Sequence, residues 1–202
     1  MAFTSPASEE ATQRVAAALR SNNIDVVVVD RAEDARRHVL ELIPEGAEVH
    51  SSKSKTLQDI GLFAELFESG RYDSLRARYM KMDRHTQVRE IRKLTAAPDF
   101  MVGSVNALTE GGDLVIASAT AGQVGPYASS AGRLILVVGS QKLVRDLDEA
   151  LRRIEQHVFP YEDAQVRQRI NRGTFIGKVL IMRHEWIDGR VTVILVREPV
   201  GV

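Results

Sequence analysis

The chain has 202 residues, with 27 basic and 27 acidic side chains and therefore a formal net charge of zero, and it contains no cysteine. The balanced charge argues against a protein whose main task is to bind nucleic acid or an anionic membrane, because such proteins need a basic surface. Without cysteine, the chain has no disulfide, no cysteine nucleophile and no thiolate ligand for an iron–sulfur cluster or a zinc ion.

The first residues have neither the basic start nor the apolar run of a signal peptide. No apolar run approaches the roughly 20 residues that cross a bilayer. We therefore expect a soluble cytoplasmic protein. The length suits a single domain over residues 1–202, in which residues 1–5 form a frayed tail.

Predicted helices and strands alternate through the first half of the chain. They are a helix that begins at Ser5 and Pro6 and ends near Arg20, a strand over residues 24–29, a helix from Ala32 to Leu42, a strand over residues 48–50, and helical residues 64–98 with a break near Gly70. The run of residues 24–29 is β-branched except for Asp25, which predicts a strand buried on both faces rather than an alternating edge strand.

The second half contains five predicted strands and an amphipathic helix. They are strands over residues 99–105, 114–117 and 134–138, a helix through Leu147, Leu151, Ile154 and Val158 that Pro160 ends, a short polar helix or ordered loop over residues 161–173, and strands over residues 178–182 and 191–196. Asp188-Gly189 predicts that the last two strands form a β-hairpin. The alternation indicates an α/β fold with a mostly parallel sheet, helices on both faces and this C-terminal hairpin.

A loop rich in hydroxyls and lysines follows the predicted strand 48–50. Its residues are Ser51, Ser52, Lys53, Ser54, Lys55 and Thr56. At a strand-to-helix junction such a loop is a plausible anion site, because free backbone N–H groups and the helix dipole favour negative charge there. Alternatively, Ser54 is a helix N-cap and the two lysines are solvated. The spacing is not that of a Walker loop.

Three motifs in order resemble the LUD domain family, which is named for lactate utilization. They are VGSVNALTEGGDLVIASAT, GRLILVVGSQKLVRDLDEALRRI and GRVTVILVREPVG, and the resemblance covers about residues 10–202. It implies a fold similar to that of the glucosamine-6-phosphate deaminase, ribose-5-phosphate isomerase and CoA-transferase superfamily. It also implies an accessory role beside iron–sulfur and oxidase-type partner subunits that convert L-lactate to pyruvate in bacteria. Any clusters would lie on those partners, and no cofactor is expected in this chain.

The family pattern is incomplete between Thr120 and Arg133. An asparagine–arginine pair that the family usually carries is absent from AGQVGPYASSAG. The resemblance therefore supplies no arginine for an anionic ligand in this loop.

In open α/β sheets, ligands bind beyond the carboxyl ends of the strands. We expect residues 51–56, 106–113 and 121–130 to converge there and to bind a small molecule that bears a phosphate or a carboxylate. Superfamily resemblance implies an acidic base or nucleophile near the central turn, with Glu110 the first choice and Asp113 the second. Asn106 would orient the ligand. Alternatively, Glu110 lies in a plain surface turn and Asn106 caps it.

Gly122 and Gly125 predict a close approach of the backbone to a ligand, or equally a close helix–strand contact. The five histidines lack metal-ligand spacing, so no metal site is expected. His50 alone is placed to reach the proposed site, and otherwise it is a packed residue at a strand end.

Three functions follow from these features. The first is an accessory component of lactate oxidation that binds a small anion. The second is a stand-alone isomerase- or transferase-type enzyme that acts on a sugar phosphate or a CoA ester and uses Glu110. The third is a small-ligand-binding module without turnover.

Overall fold

The structure, a computed structural model, describes residues 3–202. The strands of this part are β1 (Asp25–Val29), β2 (Glu48–His50), β3 (Asp73–Ser74), β4 (Phe100–Gly103), β5 (Ala107–Thr109), β6 (Leu114–Ser118), β7 (Arg133–Gly139), β8 (Leu143–Val144), β9 (Lys178–Met182) and β10 (Val191–Val196). The α-helices are α1 (Glu9–Ser21), α2 (Ala32–Leu42), α3 (Lys55–Asp59), α4 (Leu62–Glu68), α5 (Leu75–Tyr79), α6 (Val88–Ala96), α7 (Leu147–Arg153) and α8 (Phe159–Ile170). Pro126–Ser130 and Ile154–Val158 are π-helical turns, and Ser140–Lys142 is a 3₁₀ turn.

Six strands form one sheet in the order β1-β10-β7-β4-β2-β3, and every pair in it is parallel. The central strand β7 is apolar on both sides, as strands of parallel sheets usually are. Leu134 and Leu136 pack into one core cluster, while Ile135 and Val137 pack into another on the opposite face. The predicted α/β architecture with a mostly parallel sheet between helices is thus confirmed.

One face of this sheet packs against α1 and a second, four-stranded sheet in the order β8-β5-β6-β9. The small sheet is mixed, with β5–β6 and β6–β9 antiparallel and β5–β8 parallel. Helices α2, α3 and α4 cover the other face of the large sheet. Ala150 and Ile154 cover the outer side of the small sheet.

The predicted C-terminal hairpin is wrong. β9 and β10 have the predicted bounds, but β9 pairs antiparallel with β6, and β10 lies between β1 and β7. The segment that joins them is tied to the end of α1, where Asn23 Nδ2 donates to Glu185 O and to Asp188 Oδ1, each at 2.9 Å. Because β10 is buried along its whole length, it gains more from pairing on both edges inside the large sheet than from a hairpin.

β1 packs on both faces, as predicted, and it lies at one edge of the large sheet. Val26 and Val28 pack toward one core cluster and Val27 toward the other. An apolar run indicates burial of the two faces of a strand and does not indicate whether the strand lies at the centre or at the edge of the sheet.

Three helix boundaries also differ from the predictions. α1 begins at Glu9, because Ser8 caps it by accepting a hydrogen bond from Ala11 N, and Ser5 and Pro6 precede it. Pro160 does not end the helical run; it is the second residue of α8, which directly follows the π-helical turn Ile154–Val158. Residues 64–98 form three short helices with the strand β3 between the first two.

Of the predicted N-terminal tail, residues 1–2 lie outside the described part of the chain. Phe3 is described and packs beside Ala107, Val115 and their neighbours in the small core cluster. Among the helices of residues 3–202, none is both long and apolar enough to cross a membrane.

Candidate ligand-binding site

Three neighbouring strands of the large sheet end at a cavity of about 750 Å³. β2, β4 and β7 lie side by side and run parallel, so their carboxyl ends meet at one edge. The segments that follow these strands bring Thr56, Ser104 and Lys142 to the cavity. This is the edge at which open α/β sheets bind their ligands.

Positive charge dominates the lining, although the whole chain is neutral. Six cationic residues among residues 3–202 line the cavity, namely Lys53, Lys55, Arg76, Arg84, Lys142 and Arg169. The acidic lining residue is Glu162, on α8. A concave surface with this charge raises the local concentration of anions.

Lys142 is the lining cation that lies deepest, and it is 2% exposed. Its Nζ donates to Thr56 Oγ1 at 2.8 Å, to Ser104 Oγ at 3.0 Å and to Val105 O at 3.3 Å. Burial, aided by the positive charge of Arg153 and opposed by Asp59, lowers the pKa of Lys142 to about 7. These three hydrogen-bond partners are uncharged, so the described part of the chain supplies no direct counter-ion.

Arg153 is a second buried cation close by, at the end of α7. Its Nη1 donates to Asn106 O, whereas Nε and Nη2 have no hydrogen-bond partner within residues 3–202. Burial lowers the pKa of Arg153 to about 10, which leaves it charged at neutral pH. Within the described residues, no carboxylate forms an ion pair with Arg153 or with Lys142.

Tyr127 holds the segment after β4 in place. Its hydroxyl accepts from Ser104 N at 3.2 Å and donates to Ser104 O at 3.3 Å. The close approach requires glycine at position 103, because a Cβ there would overlap the Tyr127 hydroxyl. Full burial raises the pKa of Tyr127, so it stays a neutral hydrogen-bonding group.

The predicted loop after β2 does reach the cavity. Ser52, Lys53, Ser54, Lys55 and Thr56 line it. Ser51 lies outside the lining; it is buried, and its hydroxyl donates to Ser52 O at 2.7 Å. Ser54 is the N-cap of α3, as one alternative predicted, and accepts from Leu57 N at 3.3 Å. Lys55 pairs with Asp59, while Lys53 is exposed.

The two predicted loop glycines differ in position. Gly122 lines the cavity, and a Cβ there would meet only Thr120 Oγ1, at 4.0 Å. No helix–strand contact therefore requires glycine at position 122. Gly125 is outside the lining, and a Cβ on it would make an ordinary contact with Ser130 Oγ at 3.8 Å.

The structure separates Asn106 from the two predicted carboxylates. Asn106 lines the cavity, and its Oδ1 accepts from Ala117 N at 2.6 Å, which joins β5 to β6. Glu110 and Asp113 lie at the far end of β5, roughly 13 Å along the chain at 3.3 Å per residue. There Glu110 is 3.8 Å from Arg14, Asp113 is 3.8 Å from Arg183, and neither carboxylate lines the cavity. β5 thus carries the chain away from the cavity before the acidic turn begins.

His50 is a buried strand-end residue beside the site, not part of its lining. Its Nδ1 has no hydrogen-bond partner within the described residues, and its ring meets that of Tyr79 edge-on at 6.0 Å. Burial, and then the charge of Arg76, lower the pKa of His50 to about 4, so the imidazole is neutral at pH 7.

The sequence interpretation missed Lys142 and Arg153. A usable signal existed for Lys142, because it stands three residues after Gly139, which ends the central strand β7. Residues just beyond a central parallel strand face the ligand edge. Arg153 gave no such signal, since it lies among other charged residues of an amphipathic helix. Within residues 3–202, no group of three or more histidine or acidic side chains is arranged to hold a metal ion.

Fold and cavity together define an α/β protein with a cationic ligand site at the carboxyl edge of a parallel sheet. The chain belongs to the LUD domain family, whose family model matches residues 12–196. It is similar in structure to a DUF162 family protein from Deinococcus radiodurans, whose crystal structure was determined at 1.70 Å resolution. The match has a TM-score of 0.52 and 12% sequence identity and covers 95% of this chain and 99% of that chain, so it concerns the fold alone. No curated protein matches the sequence.

Proposed function

We propose that this chain binds a small anionic metabolite in the cavity and serves as an accessory component of an iron–sulfur system that oxidises L-lactate to pyruvate. The observation that supports anion binding is the pair Lys142 and Arg153, two buried cations without a carboxylate partner in residues 3–202.

Buried charge without a counter-ion is costly. After relaxation and water penetration, removing an ammonium or guanidinium group from water still costs several kcal/mol. A bound carboxylate or phosphate would offset part of this cost at Lys142 directly and at Arg153 through its field. The cationic lining residues Lys53, Arg76 and Arg84 would steer the same anion into the cavity.

The lactate-oxidising context comes from the family, which is associated with lactate utilization. The chain has no cysteine and so provides no thiolate for a cluster. Redox chemistry would therefore need iron–sulfur and oxidase-type partner subunits, with this chain as the component that binds the organic anion.

The volume of the cavity supports two alternatives. About 750 Å³ lies within the range of sites for larger, drug-sized ligands, and lactate fills a small part of it. A sugar phosphate or a CoA ester would fill more of the space. Such a ligand fits either a stand-alone isomerase- or transferase-type enzyme or a non-catalytic binding module. For the enzyme, Glu162 is a carboxylate inside the cavity, whereas Glu110 is outside it.

A thermal-shift and calorimetry panel with phosphate, L-lactate, pyruvate, sugar phosphates and CoA esters tests the anion site. A ligand at about 100 times its dissociation constant stabilises by about 2.7 kcal/mol, which corresponds to about 5–10 °C for a chain of this size. Lys53→Ala/Lys55→Ala is expected to weaken the shift, and Arg92→Ala/Lys93→Ala, on the exposed side of α6, is the matched control. A flat panel would contradict the proposal.

A second experiment tests the accessory role. The tagged full chain is captured from its native source, and the complex is assayed for iron, labile sulfide and lactate-dependent dye reduction. Iron, labile sulfide and the dye-reducing activity are all expected to copurify with the tagged chain. A complex that reduces dye without this chain, at an unchanged rate, would rule the role out.

The enzyme alternative predicts turnover by the purified chain alone. If a sugar phosphate or CoA ester is converted, Glu162→Gln and Glu110→Gln separate the two carboxylates. Loss of turnover with retained binding in Glu162→Gln would place the base inside the cavity, and the same result in Glu110→Gln would place it at the turn.

A further inference from the structure

Within residues 3–202, the amine of Lys142 donates hydrogen bonds to neutral groups and to no carboxylate. It follows β7 through the 3₁₀ turn Ser140–Lys142, and its Nζ lies 2.8 Å from Thr56 Oγ1 and 3.0 Å from Ser104 Oγ. These hydroxyls are also 3.2 Å from each other. A hydroxyl both donates and accepts, so the pair can hold the nitrogen either as an ammonium that donates to it or as an amine whose lone pair accepts a hydroxyl proton, while Val105 O accepts an N–H in both forms. The lone pair of the amine becomes free for attack when that hydroxyl turns to another acceptor.

The surroundings of Lys142 favour the uncharged amine to an unusual degree. Burial and then the nearby Arg153 lower its pKa to about 7, and Asp59, the smallest of the three causes, opposes them. A substantial fraction is then unprotonated near neutral pH. Lysines activated in this way, by desolvation and a neighbouring cation, act as nucleophiles toward carbonyl groups.

The cavity also defines what else the carbonyl compound carries. Lys53, Arg76 and Arg84 line the same space and are suited to a carboxylate. A 2-oxo carboxylate is the smallest class of molecule that carries both groups, a carbonyl carbon for the amine and a carboxylate for the cations. We propose that Lys142 forms an imine with the carbonyl carbon of a 2-oxo carboxylate held in this cavity, an inference that rests on the anion binding proposed above.

The step balances without an oxidant or a reductant. The nitrogen lone pair forms a bond to the carbonyl carbon while the carbonyl π pair moves to oxygen, which takes a proton from the nitrogen. The resulting carbinolamine loses its hydroxyl group with a second proton as water, and the C=N bond forms. Thr56 and Ser104 are placed to relay these protons, because both hydroxyls contact Nζ.

Borohydride trapping on the full chain tests the imine directly. The protein is incubated with pyruvate or glyoxylate and sodium cyanoborohydride, and the product is analysed by intact mass and peptide mapping. L-lactate, which has the carboxylate but no carbonyl, is the matched ligand control. Lys142→Arg keeps a cation and removes the nucleophile, and Lys93→Arg, on α6, is the matched variant.

The expected result is one reduced adduct per chain that maps to Lys142, is lost in Lys142→Arg, persists in Lys93→Arg and is suppressed by excess phosphate. If Lys142→Arg does not fold, the peptide map of the wild-type adduct decides the question. Adducts spread over several exposed lysines would overturn the inference. A pyruvate-induced thermal shift without an adduct on Lys142 would overturn the imine and leave anion binding intact, whereas no shift with any anion and no adduct would overturn both.

Discussion

Lys142 and Arg153 donate hydrogen bonds to consecutive backbone carbonyl groups, those of Val105 and Asn106. Two buried cations, one after β7 and one at the end of α7, thus hold the same short segment that leaves the large sheet and enters the small one. The contact links the floor of the cavity to both sheets. A change in the charge of either cation should therefore change the free energy of unfolding, which can be measured.

The first prediction concerns the pH dependence of stability at Lys142. Its folded pKa of about 7 is below the ordinary value of 10.5, so between these pH values the unfolded chain binds more protons. Wild-type stability should therefore rise with pH through this window, by at most about 1.4 kcal/mol per pH unit from this group. Lys142→Met should lack that rise.

Urea denaturation at about pH 6, 8 and 10 measures the difference between the two proteins. Between about pH 8 and about pH 10 the free energy of unfolding of the wild type should rise relative to that of Lys142→Met. Below about pH 7 the difference between the two proteins should be constant. Lys93→Met serves as the matched surface control. Parallel pH profiles for wild type and Lys142→Met would mean that the lysine is not desolvated.

The second prediction concerns acid denaturation through His50. Its folded pKa of about 4 is below the ordinary 6.5, so the unfolded chain takes up the proton first as the pH falls. The contribution of His50 to the free energy of unfolding is fully present above about pH 6.5. It is lost as the pH falls to about 4, at about 1.4 kcal/mol per pH unit. His50→Leu should shift the acid midpoint to lower pH, measured by fluorescence or circular dichroism.

The control for His50 is His85→Gln, a substitution at an exposed histidine. An apolar residue at position 50 also removes Nδ1, a buried atom without a partner in the described residues. An unchanged acid midpoint in His50→Leu would show that the imidazole is protonated without cost in the folded protein.

The third prediction tests the contact between Gly103 and Tyr127. Gly103→Ala places a methyl group on the Tyr127 hydroxyl and should destabilise by about 1–3 kcal/mol, as overpacked cores do. Gly103→Ala/Tyr127→Phe should recover part of this loss, because the hydroxyl is gone. Gly111→Ala is the control, since its Cβ would meet only Thr109 Oγ1, at 3.8 Å. Additive losses in the double variant would contradict the contact.

The fourth prediction concerns the buried ion pair of Glu185 and Arg190, whose side chains are 8% and 3% exposed. Arg190 Nη2 also donates to Tyr127 O at 2.9 Å, so the pair supports the turn that carries Tyr127. Glu185→Gln leaves a buried guanidinium without its counter-ion and should destabilise by about 3–5 kcal/mol.

Chemical denaturation of Glu185→Gln is compared with that of Arg78→Ala, which removes two solvent-accessible ion pairs, with Glu48 and with Asp73, and should cost about 1 kcal/mol or less for each pair. Equal losses in the two variants would show that burial does not strengthen the Glu185–Arg190 pair.

Local patterns predicted most elements of the fold. Residues 32–42 have the spacing of an amphipathic helix and are followed by Pro44 and Gly46, and α2 has these bounds. β9 and β10 were likewise predicted to the residue. Their pairing was not, because Asp188-Gly189 is a local turn signal, whereas the partner of each strand is chosen by burial on its faces and edges.

The candidate site divides in the same way. Residues 52–56 and Gly122 were predicted from loop composition and do line the cavity. Glu110 and Asp113 were assigned to the same site because the superfamily resemblance implies an acidic residue near the central turn. A strand extends about 3.3 Å per residue, so the short strand β5 is enough to carry them out of reach.

The sequence by itself determined the α/β class, the neutral overall charge and the absence of thiolate chemistry, since these depend on composition and on short-range periodicity. Only the tertiary structure brought Thr56, Ser104 and Lys142 together from the ends of three parallel strands, and only burial altered the pKa of Lys142. Desolvation acts on a side chain through everything that is packed around it. No pattern of neighbours along the chain contains that information.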